Sequence, residues 1–465
     1  MTYTLSSKQS RAEFWKRWIR MLLIIAGQNV IVYGVNLADN IMIGQLGQAA
    51  ELAISGVFIV NQLQFLLQMI VNGIADGTVV MCSRSWGEKN IDGIKKAAST
   101  AMRTGLIISG LMLAAVLIFP DAVLGIFTDK VHVIEEAKKY LFIVAFTYVI
   151  FAATQVLLGV MRSVECAFIG FVNSCAALVI NLVLNYLLIF GHFGFPALGV
   201  RGAAIATLIS RIIELLIVVV YIAVFDKKLK LKFSDFLHTD REITKKFIKV
   251  STPVIMSGTS WGIAMGLQTA ILGRLTDPVI TANSIASTIF QIVTVVIYGA
   301  ASAASVMIGK TIGEGKLDSG GDADLLRNEL KHRARWLQVI FLGLGLATSM
   351  TLLGLRDFII SCYDVTPETA ELARQFISVL CVTVVGTAYQ MACLTGIVRG
   401  GGDTKFVFYN DLIFMWGLVL PSSFIAAFVL ETSPLWIFIC LKADQILKCS
   451  VAVVKVNRFK WMKKI

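Results

Sequence analysis

Twelve long apolar runs, separated by short polar connections, are the feature that most constrains how this chain can fold. Most of them hold about 20 or more predominantly apolar residues, the length that a helix needs to cross a bilayer. Of all residues, 57% are hydrophobic and 15% are charged, whereas soluble domains carry about 25% charged residues. The sequence therefore predicts an all-α integral membrane protein with transmembrane helices at 18–42, 52–80, 97–119, 138–161, 167–191, 199–225, 250–273, 279–309, 336–355, 372–398, 406–430 and 434–454.

The basic residues predict the direction of these helices. Of the 42 Lys and Arg residues, 32 lie at the two termini or in every second loop, and seven lie in the intervening loops. Cytoplasmic loops of membrane proteins collect Lys and Arg. We therefore expect a multi-pass protein of the cytoplasmic (plasma) membrane with both termini in the cytoplasm. The same rule accounts for the net charge of +12, so no nucleic-acid partner is predicted.

An internal repeat divides the chain into two similar halves. Residues 157–173 match residues 394–410 at an offset of 237, and residues 44–62 match 273–291 at an offset of 229. A six-helix unit returns the chain to the same side of the membrane, so the two copies run parallel about an axis along the membrane normal. The predicted divisions are a cytoplasmic N-terminus (1–17), an N-lobe (18–225), a cytoplasmic linker (226–249), a C-lobe (250–454) and a basic cytoplasmic C-terminus (455–465).

A set of ordered motifs extends along nearly the whole chain: LADNIMIGQLG, SRSWGEKN, GVMRS, NLVLNYLLIFG, LGVRGAAIATLISR, GIVRGGGDTK and NRFKWMKK. Together they resemble the MATE (multidrug and toxic compound extrusion) family. The resemblance implies a twelve-helix, two-lobe exporter that exchanges its substrate for inward-moving H⁺ or Na⁺. We therefore expect a secondary active multidrug exporter that antiports amphipathic organic cations.

Asp39 is the main candidate for binding the coupling cation, because it matches the helix 1 acid to which the family resemblance assigns that role. A carboxylate at the centre of a bilayer costs about 2.5–3.5 kcal/mol on insertion scales. The alternative is an acid hydrated near the outer end of its helix. Asn36 and Asn40 are candidates to share the ligation, and hydrogen bonding within the helix bundle is their alternative role. Asn181 and Asn185 are spaced i,i+4 and therefore lie on one helix face, so both are expected to line the same cavity.

Two departures from the family pattern favour H⁺ over Na⁺ as the coupling ion. One branch of the family carries a Glu in helix 7, but residues 253–273 contain no carboxylate. Another branch carries an Asp in helix 5, in the pattern N-x-x-x-D, whereas Asn181 and Asn185 give N-x-x-x-N. Since Asn185 cannot titrate, the sequence predicts coupling to H⁺, with Na⁺ as the alternative.

Two further acids are candidates for a second coupling or substrate site. Asp76 lies within helix 2, and Asp403 lies at the cytoplasmic end of helix 10, at a position that matches the family. For Asp76 the alternative is a local ion pair. For Asp403 it is helix capping or a salt bridge in the loop.

Two charged pairs are predicted to be structural. Arg211 and Glu214 are three residues apart on helix 6 and are expected to neutralise each other. Asp444 and Lys448 are four residues apart on helix 12, in the order that favours an ion pair on a helix.

The remaining polar and aromatic residues within the spans are candidates for the substrate cavity. Amide side chains inside a membrane protein face protein or a cavity rather than lipid, and aromatic rings can stack on a flat cation. For the aromatic residues, packing or an interface belt is the alternative. The candidates are Gln62, Gln68, Trp261, Gln268, Gln291, Tyr298 and Tyr389.

No enzyme, organic cofactor or metal site is predicted, since the four histidines lie far apart in polar connections and no catalytic spacing occurs. The expected partners are small organic, cationic substrates and the lipid bilayer, and the protein is expected to be monomeric. The main alternatives are a flippase of a lipid-linked glycan and an exporter of a specific metabolite on the same superfamily fold. Glycan flippases usually carry a basic cavity, and Arg211 is the one buried Arg that stands out here. A channel is disfavoured because no repeated selectivity filter occurs.

Overall fold

A computed structural model describes residues 8–44, 51–237, 240–318, 323–361, 363 and 365–462. These residues form helices and connecting loops, with no strand among them. The side chains of Asn36 and Asn40 lie outside the described part of the chain. The helices are α1 (Lys8–Gly44), α2 (Glu51–Gly87), α3 (Ile91–Ile118), α4 (Pro120–Gly125), α5 (Val131–Val144), α6 (Thr147–Ser163), α7 (Phe168–Phe190), α8 (Val200–Val220), α9 (Arg241–Leu272), α10 (Asp277–Asp318), α11 (Ala323–Ser361), α12 (Pro367–Gln390), α13 (Thr404–Leu412), α14 (Leu420–Phe428), α15 (Pro434–Lys442) and α16 (Asp444–Asn457).

Each of the twelve predicted spans falls on one helix or on consecutive helical segments, which confirms the all-α fold. The fourth span is α5 followed by α6, with a bend of 46° between them. The twelfth is α15 followed by α16. Three spans contain π-helical segments, at Tyr221–Phe225 after α8, Met391–Arg399 after α12, and Ile413–Val419 between α13 and α14.

Length and apolar composition alone identify nine spanning helices in the described part of the chain, or ten when α5 and α6 count as one. The two remaining spans are more polar or interrupted. In α9, Ser and Thr occupy positions 251, 252, 257, 259 and 260. In the last span, α15 and α16 have only 9 and 14 residues and carry charges near their junction.

Local sequence signals explain where several helices begin and end. The Asn90 side chain accepts a hydrogen bond from the Gly93 amide at 2.8 Å and so caps the start of α3. Gly191 follows α7 in the left-handed conformation, with φ of 75°. A residue with a side chain rarely adopts this conformation, which is why Gly commonly ends helices.

Small residues allow close helix packing between α2 and α9. Gly73 and Gly77 form a G-x-x-x-G pattern on α2. A Cβ atom on Gly73 would lie 2.6 Å from Ile255 Cα, and one on Gly77 would overlap the Ser251 side chain. Such small-residue stripes let membrane helices approach closely, so neither glycine tolerates a side chain without a shift of α9.

Contacts divide the chain into two compact units. Unit 1 comprises the described residues within Met1–Ala26, Ser83–Lys89 and Met256–Ile465, and unit 2 those within Gly27–Cys82 and Asn90–Ile255. Unit 2 has a buried core that includes Leu67, Tyr148 and Leu141. Unit 1 has a separate core in which Phe376 and Phe438 stack at 4.2 Å between ring centroids. The predicted lobe boundaries stay a prediction.

Candidate functional site

A polar cavity of about 210 Å³ lies within unit 2. Helices α1, α2, α5, α7 and α8 line it, and its walls combine apolar side chains with amides, hydroxyls and three charged groups. Ligand sites are commonly concave and mostly apolar, with a few convergent polar groups. The lining residues are Val35, Asp39, Ile43, Asn61, Gln64, Phe65, Gln68, Tyr140, Ala177, Asn181, Ala203, Thr207, Ser210, Arg211 and Glu214.

Asp39 is held in this cavity by amide side chains from α7. Asn185 Nδ2 donates hydrogen bonds to Asp39 Oδ1 at 2.5 Å and to Asn181 Oδ1 at 3.1 Å. Asn181 and Asn185 are buried, and they lie on one face of α7, as their spacing predicts. Within the described part of the chain, Asn185 Oδ1 accepts no hydrogen bond. The site therefore offers a carboxylate, which can bind a proton, and an unused amide oxygen, and both groups can serve as oxygen ligands for a small cation.

The Arg211 guanidinium is engaged by a carboxylate on its own helix. Arg211 Nη1 donates to Glu214 Oε1 at 3.1 Å and to Oε2 at 2.8 Å, which confirms the predicted pair. The guanidinium also lies 5.0 Å from the ring centroid of Phe151. Because Glu214 already balances Arg211, Asp39 contributes the remaining charge among the described lining residues.

The α2 wall of the cavity contains two polar residues, Asn61 and Gln64, that were not predicted. Together with the predicted Gln68, they line the cavity. Their spacing of three and four residues places them on one helix face. Gln62 is exposed and lies one position off that face. The polar lining residues of α8 have the same spacing of three and four residues. Polar residues at helical spacing therefore mark both the α2 wall and the α8 wall of the cavity in the sequence.

The two candidate second acids both have charged partners. Asp76 interacts electrostatically with Arg162, and both residues belong to unit 2. Asp403 lies 2.7 Å from Lys455 Nζ, in unit 1. Asp403 also precedes α13, but its side chain makes no capping hydrogen bond there. These contacts favour structural ion pairs for both acids.

The other predicted cavity residues belong to unit 1. Trp261 on α9 and Gln291 on α10 are exposed, and Tyr298 on α10 is half-buried. None of the three is a described lining residue of the cavity in unit 2. Their role in substrate binding stays a prediction.

Gln268 and Tyr389 form specific side-chain contacts within unit 1. Gln268 is buried, and its Nε2 lies 3.2 Å from Met415 Sδ. The Tyr389 hydroxyl donates to Gln338 Oε1 at 2.6 Å. These contacts hold the Gln268 amide and the Tyr389 hydroxyl in place. Neither contact involves a charged group.

A charged cluster also lies within unit 1. Lys448 Nζ lies 3.1 Å from Asp444 Oδ2, so the predicted pair forms. The same ammonium lies 3.1 Å from Asp411 Oδ1 on α13. Asp411 Oδ2 in turn accepts a hydrogen bond from the Ser257 hydroxyl on α9 at 2.6 Å. The sequence pattern indicated the pair on α16 but not the contribution of Asp411.

Comparisons with known proteins agree with this architecture over most of the chain. The MatE family model matches residues 25–187 and 253–425. The uncharacterized transporter YisQ of Bacillus subtilis (strain 168) is 25% identical over 417 residues, covering 88% of this chain and 86% of YisQ. The probable multidrug resistance protein NorM of Agrobacterium fabrum is 23% identical over 415 residues, covering 87% of this chain and 85% of NorM.

A solved structure, described as MATE in the bent conformation, has the same fold. It superposes with a TM-score of 0.83 at 19% sequence identity, and the match covers 96% of this chain and 95% of that one. The family match falls in both halves of the internal repeat, as expected for a duplicated bundle.

Proposed function

Since this chain belongs to the MatE family, as the match over most of its length shows, we propose that it is a secondary active exporter of amphipathic organic cations. It exchanges them for inward-moving H⁺ across the cytoplasmic membrane, with both termini in the cytoplasm. Similarity to a probable multidrug resistance protein and the excess of basic residues at the termini and in every second loop support this proposal. Asp39 and its cavity lie within one unit of one chain, and we propose that the protein acts as a monomer.

The observation that carries the proposal is the contact between Asp39 and Asn185. The amide donates to the carboxylate at 2.5 Å without neutralising it, so the carboxylate stays free to bind a cation. A Lys or Arg in the same place would form a permanent ion pair and block exchange. The carboxylate can therefore hold either a proton or a cationic substrate, which is what antiport at a single site requires.

The charges that line the cavity favour a cationic substrate over an anionic one. Arg211 is paired with Glu214, and Asp39 leaves one negative charge in excess among the described lining residues. A lipid-linked glycan carries phosphate groups and needs a basic cavity, so the flippase alternative fits these residues poorly.

Each residue has a separate task in the exchange. Ionised Asp39 binds the organic cation from the cytoplasm, and the amides of α2 and α7 complete the polar wall. A proton arriving from outside binds Asp39, removes its charge and releases the cation. Asn185 keeps the carboxylate in place in both states, since it offers an N–H donor to the ionised form and a free carbonyl oxygen to the protonated form.

Transport by the purified protein in liposomes tests this function. Ethidium movement is measured under an imposed pH gradient, and separately under an imposed Na⁺ gradient at equal pH. Wild type is compared with Asp39→Asn and with the control Asp129→Asn, which makes the same chemical change at an exposed loop position. We expect transport driven by the pH gradient in wild type and the control, and a loss of at least tenfold in Asp39→Asn.

Two results would contradict the proposal in different ways. Full gradient-driven transport by Asp39→Asn would remove Asp39 from the coupling role. Transport by wild type that follows only the Na⁺ gradient would keep the site and replace the coupling ion.

A further inference from the structure

The Arg211 guanidinium lines the cavity of unit 2 with most of its hydrogen-bonding capacity unused. Its Nη1 donates to both oxygens of Glu214, at 3.1 and 2.8 Å. Among the described residues, neither its Nε nor its Nη2 has an acceptor, although a guanidinium carries five N–H donors. The Arg211 side chain is 21% exposed and that of Glu214 is 8% exposed. Arg211 therefore keeps N–H groups that could bind a second carboxylate.

Asp39 is a second carboxylate in this cavity. Asp39 and Arg211 both line it and interact electrostatically, and Tyr140 on α5 interacts with both. Within the described part of the chain, no ion pair joins Asp39 to Arg211, and Asp39 accepts its hydrogen bond from Asn185. Pairs of Arg with a carboxylate are strong and frequently bidentate. Other contacts must therefore hold the guanidinium away from Asp39.

Glu214 and Phe151 supply these contacts. Glu214 lies three residues after Arg211 on α8, and its carboxylate engages the guanidinium directly. The Phe151 ring on α6 lies 5.0 Å from the guanidinium, measured to the ring centroid. A ring attracts a cation through its quadrupole only, whereas a carboxylate carries a full charge, whose attraction is strengthened away from bulk water. Without Glu214, the Phe151 ring alone would not keep Arg211 from Asp39.

The charge of the cavity depends on Glu214 in the same way. When ionised, Asp39 and Glu214 carry two negative charges and Arg211 carries one positive charge, so one negative charge remains for a cation. The other described lining residues are apolar or carry neutral amide and hydroxyl groups. A neutral residue in place of Glu214 alone would cancel the remaining negative charge. Neutral residues in place of both Glu214 and Arg211 would restore it.

We propose that Glu214 is a positioning residue for cation exchange, which holds the Arg211 guanidinium on α8 and thereby keeps the Asp39 carboxylate free. Glu214 acts through Arg211 and is not itself the cation site. The inference rests on the proposed function and deepens it, because it gives a role in exchange to an ion pair that local spacing identifies only as a structural contact.

Equilibrium binding of ethidium to the purified protein at one fixed pH tests this role without any gradient. Wild type is compared with Asp39→Asn, Glu214→Gln and the double variant Arg211→Met/Glu214→Gln. We expect Glu214→Gln to bind ethidium about tenfold more weakly or worse, which corresponds to about 1.4 kcal/mol or more. The double variant should recover most of the binding. A purely structural role predicts the reverse, since the second substitution also removes the contact with Phe151.

Glu135→Gln is the matched control. Glu135 also pairs with a residue three positions later on a helix of unit 2, Lys138, at 3.0 Å, but its side chain is 61% exposed. This control should bind ethidium like wild type. Thermal unfolding of every variant in detergent shows which of them are folded.

A structure of Glu214→Gln tests the same inference without any ligand. We expect an Arg211 nitrogen within hydrogen-bond distance of an Asp39 oxygen. A guanidinium that stays beside Phe151, or that turns away from Asp39, would refute the inference.

The binding results separate this inference from the proposed function. If Asp39→Asn weakens binding and Glu214→Gln does not, the role of Glu214 is refuted while the proposed function stands. If the double variant is folded and binds as weakly as Glu214→Gln, Glu214 does not act through Arg211, and the inference is wrong. If Asp39→Asn binds ethidium like wild type, the proposed site fails and this inference fails with it.

Discussion

Asp39 and Gln268 occupy corresponding positions of the internal repeat, because the offset of 229 that relates residues 44–62 to 273–291 also relates these two. In unit 2, Asp39 accepts a hydrogen bond from Asn185 at 2.5 Å. In unit 1, the Gln268 amide meets only the thioether of Met415, at 3.2 Å, among the described residues. A thioether is a weak acceptor. One half of the repeat therefore keeps an ionisable group at this position and the other half has a neutral one.

The ionisable groups of unit 1 lie elsewhere, on α13 and α16. Asp411 and Asp444 share Lys448 there, whereas Asp39 in unit 2 is held by a neutral amide. A shared ammonium makes a cluster that loses much stability when one member is removed. An amide leaves the carboxylate its charge and therefore its affinity for a proton or cation. The duplicated helices supply the same scaffold twice, and the side chains decide what each copy does.

The largest expected effect is on stability, in unit 1. Lys448→Met leaves two carboxylates without their ammonium, and removing one partner of a buried ion pair costs about 3–5 kcal/mol. We expect a marked fall in the midpoint of thermal unfolding in detergent. Adding Asp444→Asn to this variant should recover part of the loss, because it removes one of the two unpaired charges. An unchanged midpoint in Lys448→Met would show that the cluster is solvated and would remove this contrast between the units.

The next effect is on transport, in unit 2. Asn185→Ala removes a hydrogen bond to a charged group, which is worth about 1.5–3 kcal/mol. We expect ethidium transport driven by a pH gradient to fall about tenfold or more, since a factor of ten corresponds to about 1.4 kcal/mol. Thermal unfolding should change less than in Lys448→Met.

Asn185→Asp changes the same contact in a different way. It places a second carboxylate within hydrogen-bond distance of Asp39, and two negative charges this close repel each other unless a cation, either a proton or Na⁺, binds between them. Transport should then respond to a Na⁺ gradient.

If Asn185→Ala transports like wild type, the amide is not needed to position Asp39.

These two sites also show which features of the structure can be predicted from the sequence. The apolar runs predicted twelve helical spans, of which nine or ten in the described part of the chain are long and apolar enough to cross a membrane, because burial in lipid favours helices of similar length and composition. Local spacing predicted the Arg211–Glu214 and Asp444–Lys448 pairs and the shared face of Asn181 and Asn185. Such contacts depend only on the geometry of one helix.

Contacts between helices were harder to predict. The contact of Asp39 with Asn185 joins residues 146 positions apart, and the family resemblance, not the spacing, suggested it. Asp411 reaches Lys448 because α13 and α16 pack at a particular rotation, which no local pattern encodes. The bend of 46° between α5 and α6 occurs without a proline near it, so the sequence predicted one continuous helix there. The packing of the helices against one another determines these contacts and this bend.

A smaller effect is expected at the position that corresponds to Asp39. Gln268→Ala removes only a neutral contact to a thioether, and neutral hydrogen bonds contribute about 0.5–1.5 kcal/mol. We expect a slight fall in the thermal midpoint and a loss of ethidium transport smaller than that of Asn185→Ala. A loss as large as that of Asp39→Asn would mean that both halves of the repeat use this position, and that the asymmetry between the units is not functional.

The smallest effect is expected in the polar segment that follows α8. Lys95 Nζ lies 2.9 Å from Asp235 Oδ2 within unit 2. Partial burial tends to raise the pKa of Asp235, but the hydrogen bonds and charges of Lys95 and Lys232 keep this pKa below its ordinary value. A lowered carboxyl pKa stabilises the folded state above the pKa of the unfolded chain, about 3.9, and this contribution is lost as the pH falls through the lower folded value.

Asp235→Asn should therefore lower the thermal midpoint near neutral pH and approach wild type in acid. Ion pairs near the surface contribute about 0.2–1 kcal/mol, so the shift is expected to be small. Thermal unfolding of Asp235→Asn, wild type and Asp129→Asn over a pH series measures it. A difference that grows in acid would have the opposite sign and would show that Asp235 destabilises the fold when ionised. Unlike the cluster around Lys448, this ion pair is partly exposed to water. If Asp235→Asn lowers the thermal midpoint much less than Lys448→Met does, burial of the charged groups, and not their number, explains the larger effect in unit 1.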